Sequence, residues 1–506
     1  MIAFAALSGP LPKLGVVIAA LCAAGALLGR QPRVRAAAML GALLLAPVLL
    51  LAEVWRSPQL GIVHRHPLLA GAGALVALAL VGAIATGIAR RPAAFAPLAV
   101  LALPFRIPIQ TGGAASNLLV PLYLVVAAGA LAFIVPALRG RTEDRGSAEP
   151  GAIERLLALY LVLYGLQSIY STDFEQALQQ MVFFYVPFAL LFCLLRRLRW
   201  TPRLVRRCLL LVTGLAAAFA MLGFAEYATK TIILNPKLVV ANDLHAYFTV
   251  NSVFFDPDIF GRFLALVMIL LAAALLYARG RREQLSAIAL LAILWVGLVL
   301  TLSRSSLGAL LVGLGIIAVL RWKAYRTLVV VAVVLVLGAG AIAISPRTFG
   351  LNQGLNGASS GRAGLVSGGI GLFGDRPGWG FGPGSFVTEY RRHQPGPATS
   401  QNLAASHTIP ITIAAEQGLI GELAYLALVL AAVIELIRGA RSDPARLAIA
   451  AAFIALVFHT LLYADFLEDP VTWALLGVGA ALAAPARSEP DPVPVRRASG
   501  PAAIPA

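Results

Sequence analysis

The chain has 506 residues, 59% hydrophobic and only 12% charged, with a mean hydropathy of +0.85 and a formal net charge of +17. That composition excludes a soluble globular domain, because apolar runs of about 18 residues or more match a hydrocarbon core roughly 30 Å thick. The charge would fit a nucleic-acid binder, but its placement argues against one. Basic residues gather in alternate loops, at Arg30 to Arg35, Arg90 and Arg91, 139–155, Arg196 to Arg207, Arg279 to Arg282, Arg321 to Arg326, Arg438 to Arg446 and the C-terminal tail. This is the excess that marks cytoplasmic loops of a membrane protein.

In chain order, the apolar runs predict spans near 5–28, 36–53, 68–89, 93–104, 118–137, 156–170, 181–195, 208–227, 260–278, 285–301, 306–320, 327–344, 408–437, 447–463 and 471–485. The expectation is an all-α polytopic membrane protein with about 12 to 15 transmembrane helices. The first run ends at Leu28-Gly29-Arg30 without a small-residue cleavage site, so it reads as a retained helix rather than a signal peptide. The 93–104 run is short and flanked by proline, which predicts a broken or re-entrant helix. Such backbone is tolerated at membrane depth only inside protein or beside water. Cys22, Cys193 and Cys208 lie in or beside helices and imply neither a disulfide nor a metal site. No internal repeat is evident. The membrane domain is expected over 1–485, and the Pro-rich 486–506 segment reads as a disordered cytoplasmic tail.

Alternation of the basic loops places three stretches on the opposite, extracytoplasmic side. These are 228–259, the short turn Ser303-Arg304-Ser305-Ser306, and the long 345–407 loop. A loop of that length without structure is uncommon unless functional, and short helices are expected at 363–373 and 384–392.

The residues able to carry chemistry lie in those three stretches. Arg304 sits between two apolar runs, flanked by serines. It is either a cation snorkelling to the interface or a fixed charge facing an interior site. Arg262 follows Asp256 and Asp258. Asp258 is placed to cap the next helix, and the arginine either pairs locally or faces a ligand. The long loop adds Arg347, Arg362, Arg376, Arg391, Arg392, His393 and His407. Guanidinium forks suit phosphate oxygens, and several converging forks suit a pyrophosphate. The stretch GDRPGWGFGPGSF (374–386) holds Arg376 among glycines whose N–H groups could approach an anion, or it is an ordinary turn with a solvated arginine. His407 precedes a long apolar helix that Ser406 or Thr408 is placed to cap. It is either a hydrogen-bonding interface residue or a group able to take a proton from a sugar hydroxyl. Glu416, deeper in that helix, is a possible base or arginine partner. No nucleotide-binding glycine motif, HExxH, CxxC or acidic pair of the sugar-nucleotide type is present. A donor available outside the cell without ATP is a sugar on a lipid pyrophosphate.

The ordered series DPDIFGRFLAL, LTLSRSSLGALLVG, SGRAGLVSGGIGLFGDRPGWGFGPGSF and ASHTIPITIAAEQGLIGE resembles the O-antigen ligase and polymerase-like family of bacterial membrane glycosyltransferases. The resemblance covers roughly 250–480. It implies a polytopic helical fold in the plasma membrane, with a large outer loop over a cavity. It also implies transfer of a glycan from undecaprenyl pyrophosphate to an acceptor hydroxyl, without metal or cofactor. Arg262, Arg304 and Arg362, with Arg376, would bind the pyrophosphate, and His407 would activate or position the acceptor. The histidine is commonly followed by Asn in that family, and here Thr408 follows. Asp256, Asp258 and Glu416 are supporting residues. The motifs do not separate a ligase from a polymerase that uses lipid-linked repeat units. A transporter of a lipid-linked or anionic solute is the alternative of another class, but it would favour repeated halves and mid-membrane polar residues.

Overall fold

The computed structural model describes residues 9–54, 66–111, 114–141, 149–233, 242, 248–322, 362–393 and 406–484. The span expected at 327–344, Arg347, the 394–405 flank of the long loop and the tail at 486–506 lie outside the described residues.

The first half of the chain contributes α1 (Pro10–Leu28), α2 (Pro32–Val54), α3 (Pro67–Arg90), α4 (Phe95–Ala102), α5 (Val120–Leu138), α6 (Ala152–Ser168), α7 (Phe174–Gln180), α8 (Val186–Arg197) and α9 (Pro202–Thr229). The second half contributes α10 (Pro257–Tyr277), α11 (Arg281–Leu300), α12 (Arg304–Arg321), α13 (Arg362–Asp375), α14 (Phe386–His393), α15 (Ile409–Ile437), α16 (Pro444–Thr460) and α17 (Pro470–Ala483). Among the described residues, ten helical segments are long and apolar enough to cross a membrane, and three shorter apolar helices accompany them. The chain is a multi-pass, helical membrane protein. A small antiparallel hairpin, β1 (Ile107–Thr111) with β2 (Ala114–Leu118), pairs Ile107 with Leu118.

The 93–104 run is broken as expected. A single 3-10 turn at Pro92–Ala94 leads into the eight-residue α4, which rises about 12 Å and so spans less than half a bilayer core. The 181–195 run differs from expectation. It joins α7 through a π-turn at Met181–Tyr185, making one segment over Phe174–Arg197 whose apolar window is 72% buried. The same measure is 6% for α3, so α3 lies at the periphery of the bundle while α7 and α8 form its interior.

Asp-Pro pairs start three of the helices that build the site. The carboxylate accepts a backbone N–H of the first turn, and proline occupies the first helical position, where its missing N–H costs nothing. Asp256 accepts from Asp258 at 2.7 Å, Asp443 from Ala445 at 2.7 Å, and Asp469 from Val471 at 3.0 Å. The cap of α10 is therefore Asp256, not Asp258, which leaves the Asp258 carboxylate for other partners. Helix α10 packs against α11, α12 and α16. Its first turn lies hard against the head of α12. A Cβ on Gly261 would stand 2.8 Å from Ser306 Oγ and 2.9 Å from Thr301 Oγ1, so only glycine permits this approach.

Candidate functional site

The heads of α10 and α12 and the end of α16 meet in a knot of polar groups. Asp258 Oδ1 accepts from Ser303 Oγ, and from Ser305 Oγ at 3.2 Å. Ser303 Oγ lies 2.7 Å from Ser306 Oγ and caps α12 by accepting the Ser306 N–H. His459 of α16, fully buried, brings Nε2 to 3.2 Å from Ser305 Oγ and 3.3 Å from Ser306 Oγ. Arg304, between these serines, is the first residue of α12. It is exposed and makes no ion pair among the described residues. Arg362, the first residue of α13, places Nη2 3.8 Å from Asp258 Oδ2.

Arg262 lies one turn into α10 and is buried, with Nη2 3.1 Å from Asp469 Oδ2. A buried charge survives in low dielectric only when paired, and the cap of α17 supplies the partner. Arg262 Nη1 is buried with no hydrogen-bond partner among the described residues. Arg262 and Arg362 are both within electrostatic reach of His459.

Tyr463 ties this knot to the end of the long loop. Its ring lies 5.6 Å from the His459 ring and 5.9 Å, edge to face, from the His407 ring. Its hydroxyl donates to Asp256. Burial first, and the neighbouring Asp258 carboxylate second, raise Asp256 to about 6, against the opposing hydrogen bonds. His407 has a left-handed backbone, φ 58°, which turns the chain sharply into α15. The expected helix cap is not made there. Thr408 Oγ1 donates to Leu461 O at 3.1 Å, and Ser406 Oγ donates to Thr408 O at 2.7 Å. The first bond fastens the histidine turn to Leu461, and the second holds the turn itself.

A cavity of about 640 Å³ opens beside this knot. Aliphatic and aromatic side chains of α4, α9, α10, α16 and α17 line most of it. Arg262 and Ala274 of α10 both line it, as do Pro470 and Leu482 of α17, so it extends about 18 Å along the helices. Arg106, Arg262 and Asp469 stand at one end, and Trp200, Arg206 and Asp443 at the other.

The structure thus brings Asp256, Asp258, Arg262, Arg362 and His407 together, with Arg304 exposed at the head of α12 beside them. Arg376 and Glu416 are placed elsewhere. Arg376 follows the last turn of α13, about 20 Å along that helix from Arg362, with its guanidinium 4.5 Å from the Phe381 ring centre. The glycine-rich N–H groups do cradle an anion, but it is the protein's own: Gly384 and Phe386 donate to the Glu416 carboxylate at 2.9 and 3.0 Å. The stretch closes on a break in α15 at Gly418, φ 64°, where Leu419 N–H donates to Pro377 O at 2.8 Å. Gly382, φ 95°, lets the backbone pass Ser171, whose Cα would stand 2.2 Å from any Cβ there. Ser171 Oγ and Tyr170 Oη donate to Pro383 O and Trp379 O at 2.7 and 2.6 Å. The segment is a clasp joining α13, α15 and the turn after α6.

Residues 289–426 match the family model described as O-Antigen ligase. This segment is similar to the O-antigen ligase family. No curated protein matches the sequence. The matched segment holds Arg304, Arg362, His407 and the 374–386 part of the clasp. Asp256, Asp258, Arg262, His459, Tyr463 and Asp469 lie outside it. The match supports a glycosyl-transfer-like activity in surface polysaccharide biosynthesis.

The sequence reading missed His459, Tyr463 and Asp469. Their signal was present in HTLLYADFLEDP (459–470), a run of ionisable and aromatic residues between two apolar helices. Polar groups so close to membrane-spanning segments generally mark a site.

Proposed function

We propose that this knot is the donor site of an O-antigen ligase-type glycosyltransferase at the outer face of the bacterial plasma membrane. It would bind an undecaprenyl-pyrophosphate-linked glycan and pass the glycan to an acceptor hydroxyl. The observation that carries this reading is that Arg262 and Arg362 meet at one polar knot, with Arg304 exposed at the head of a third helix in it, beside a largely apolar cavity that Arg262 lines.

Each part has a chemical task. The cavity would receive the polyprenyl chain. Arg304 and Arg362, exposed enough to meet a ligand, would hold the pyrophosphate oxygens in charge-assisted hydrogen bonds. The acceptor oxygen would attack the anomeric carbon as the bond from that carbon to the phosphate oxygen breaks. Negative charge then develops on the leaving pyrophosphate, where fixed guanidinium groups stabilise the transition state most. His407 would take the acceptor proton at its imidazole, held by Tyr463. Attack opposite the leaving group would invert the anomeric centre, and the guanidinium groups would supply the positive charge without a metal.

The test uses Arg304→Ala, because an exposed arginine without an ion pair can be removed with little effect on folding. We expect the variant to insert normally and transfer to fall about 10²–10³-fold. Normal surface glycan in cells carrying it would sink the donor-site assignment. A deletion strain then separates the two members of this chemistry. Long polymer accumulating on the carrier marks a ligase, and single repeat units mark a polymerase. A transporter would leave surface glycan unchanged in Arg304→Ala.

A further inference from the structure

The cavity end that holds Arg262 contains a second arginine that neither the motif series nor the matched family segment includes. Arg106 follows α4 and precedes β1, and it lines the same cavity as Arg262 and Asp469. Its segment is anchored by a chain of rings. Phe105 packs edge to face on Phe219 of α9 at 5.8 Å, and Phe219 in turn on Phe254 at 5.8 Å and Phe263 at 5.9 Å. Phe254 and Phe263 line the cavity too. A cation held this way beside an apolar wall is costly unless an anion meets it.

Among the described residues, the protein does not supply that anion in full. Asp469 is engaged by Arg262. Arg106 has no carboxylate within 4.0 Å among the described residues, and the acidic group in its field is Glu468. Burial first, then Asp465 and Glu416, push Glu468 well above the usual carboxylate range. Arg262 adds a buried Nη1 without a hydrogen-bond partner among the described residues. Among the described residues, two guanidinium groups with unused donors therefore share one end of a cavity whose middle is apolar, with Arg206 and Asp443 at its far end. That pattern suits an anion attached to a long hydrocarbon chain.

We propose that Arg106 and Arg262 Nη1 form the subsite for the phosphate nearest the lipid in a polyprenyl phosphate or pyrophosphate, leaving Arg304 and Arg362 to the outer phosphate. This rests on the donor reading above and divides the pyrophosphate between two arginine pairs. It also gives the N-terminal half of the chain a part in the site.

The full-length protein in lipid nanodiscs, titrated with a polyprenol, its monophosphate and its pyrophosphate of equal chain length, tests the division. The wild-type chain should bind both phosphorylated lipids more tightly than the alcohol. Arg106→Gln should weaken both phosphorylated lipids about tenfold and leave the alcohol unchanged, and Arg106→Lys should restore part of the loss. Arg304→Ala should remove only the extra affinity of the pyrophosphate over the monophosphate. Equal weakening of all three lipids by Arg106→Gln, or no weakening, overturns the subsite. A wild-type chain that binds alcohol and pyrophosphate equally overturns the donor reading itself, and the subsite with it.

Discussion

The knot at the heads of α10 and α12 and the clasp that closes on α15 use the same materials: arginines, a carboxylate, and glycines at points of close approach. In the clasp the carboxylate ends the matter. Glu416 fills the N–H cradle of Gly384 and Phe386, and Arg376 turns to an aromatic face. In the knot the carboxylates leave cationic capacity unspent. Asp258 is shared among serines and a 3.8 Å contact to Arg362, Arg304 makes no ion pair among the described residues, and Arg262 keeps one nitrogen without a hydrogen bond. A glycine-rich stretch with an arginine is therefore not itself an anion site. What decides is whether the protein has already supplied the anion.

The largest effect that would test this contrast is at Arg262. Arg262→Ala strands Asp469 in the interior, and breaking a buried pair from one side costs about 3–5 kcal/mol. We expect a sharp fall in melting temperature and loss of transfer together. Adding Asp469→Ala should return much of the stability but none of the transfer. Recovery of transfer in the double variant would show that Arg262 only neutralises its partner.

Glu416→Gln breaks the clasp instead. An amide nitrogen would face one of two N–H donors, at a cost of about 1–3 kcal/mol, read as a lower melting temperature. The protein that remains folded should transfer at a rate within about threefold of wild type, because the substitution lies outside the knot. A loss as deep as that of Arg304→Ala would return Glu416 to the chemistry.

Asp256 provides a titration. Its folded value, raised to about 6, means that the folded state holds its proton more tightly than the unfolded one. Its contribution to stability is therefore present below the unfolded value near 3.8, declines as pH rises, and is gone above about 6. Asp256→Asn should flatten that part of the melting-temperature profile between pH 4 and 7. An unchanged slope would assign the titration to another group.

The smallest expected effect is at Arg376. Arg376→Ala should leave donor KM and kcat within about twofold of wild type, since an exposed substitution away from the site usually changes little. A tenfold rise in donor KM would place the clasp over the bound donor.

Much of the architecture was legible in the sequence because a bilayer imposes a one-dimensional rule. Each span must be long and apolar, whatever it packs against. Helix starts were legible for a similar reason, since Asp-Pro pairs act within one turn. Even there, local reading assigned the α10 cap to Asp258 when Asp256, one residue before the proline, makes the bond. Of the site, the sequence marked Asp256, Asp258, Arg262, Arg304, Arg362 and His407, because charged residues beside apolar runs stand out.

Tertiary structure alone decided which of the marked residues share a place. Arg362 and Arg376 flank one glycine-rich helix and look equivalent in sequence, but a helix of 14 residues holds its ends about 20 Å apart. Tertiary structure also brought in Arg106, His459, Tyr463 and Asp469, whose partners lie far away in the chain. Pairing, burial and the satisfaction of N–H groups depend on atoms that only packing makes neighbours. Hydropathy and local caps could therefore fix the helices but not the contacts at their ends.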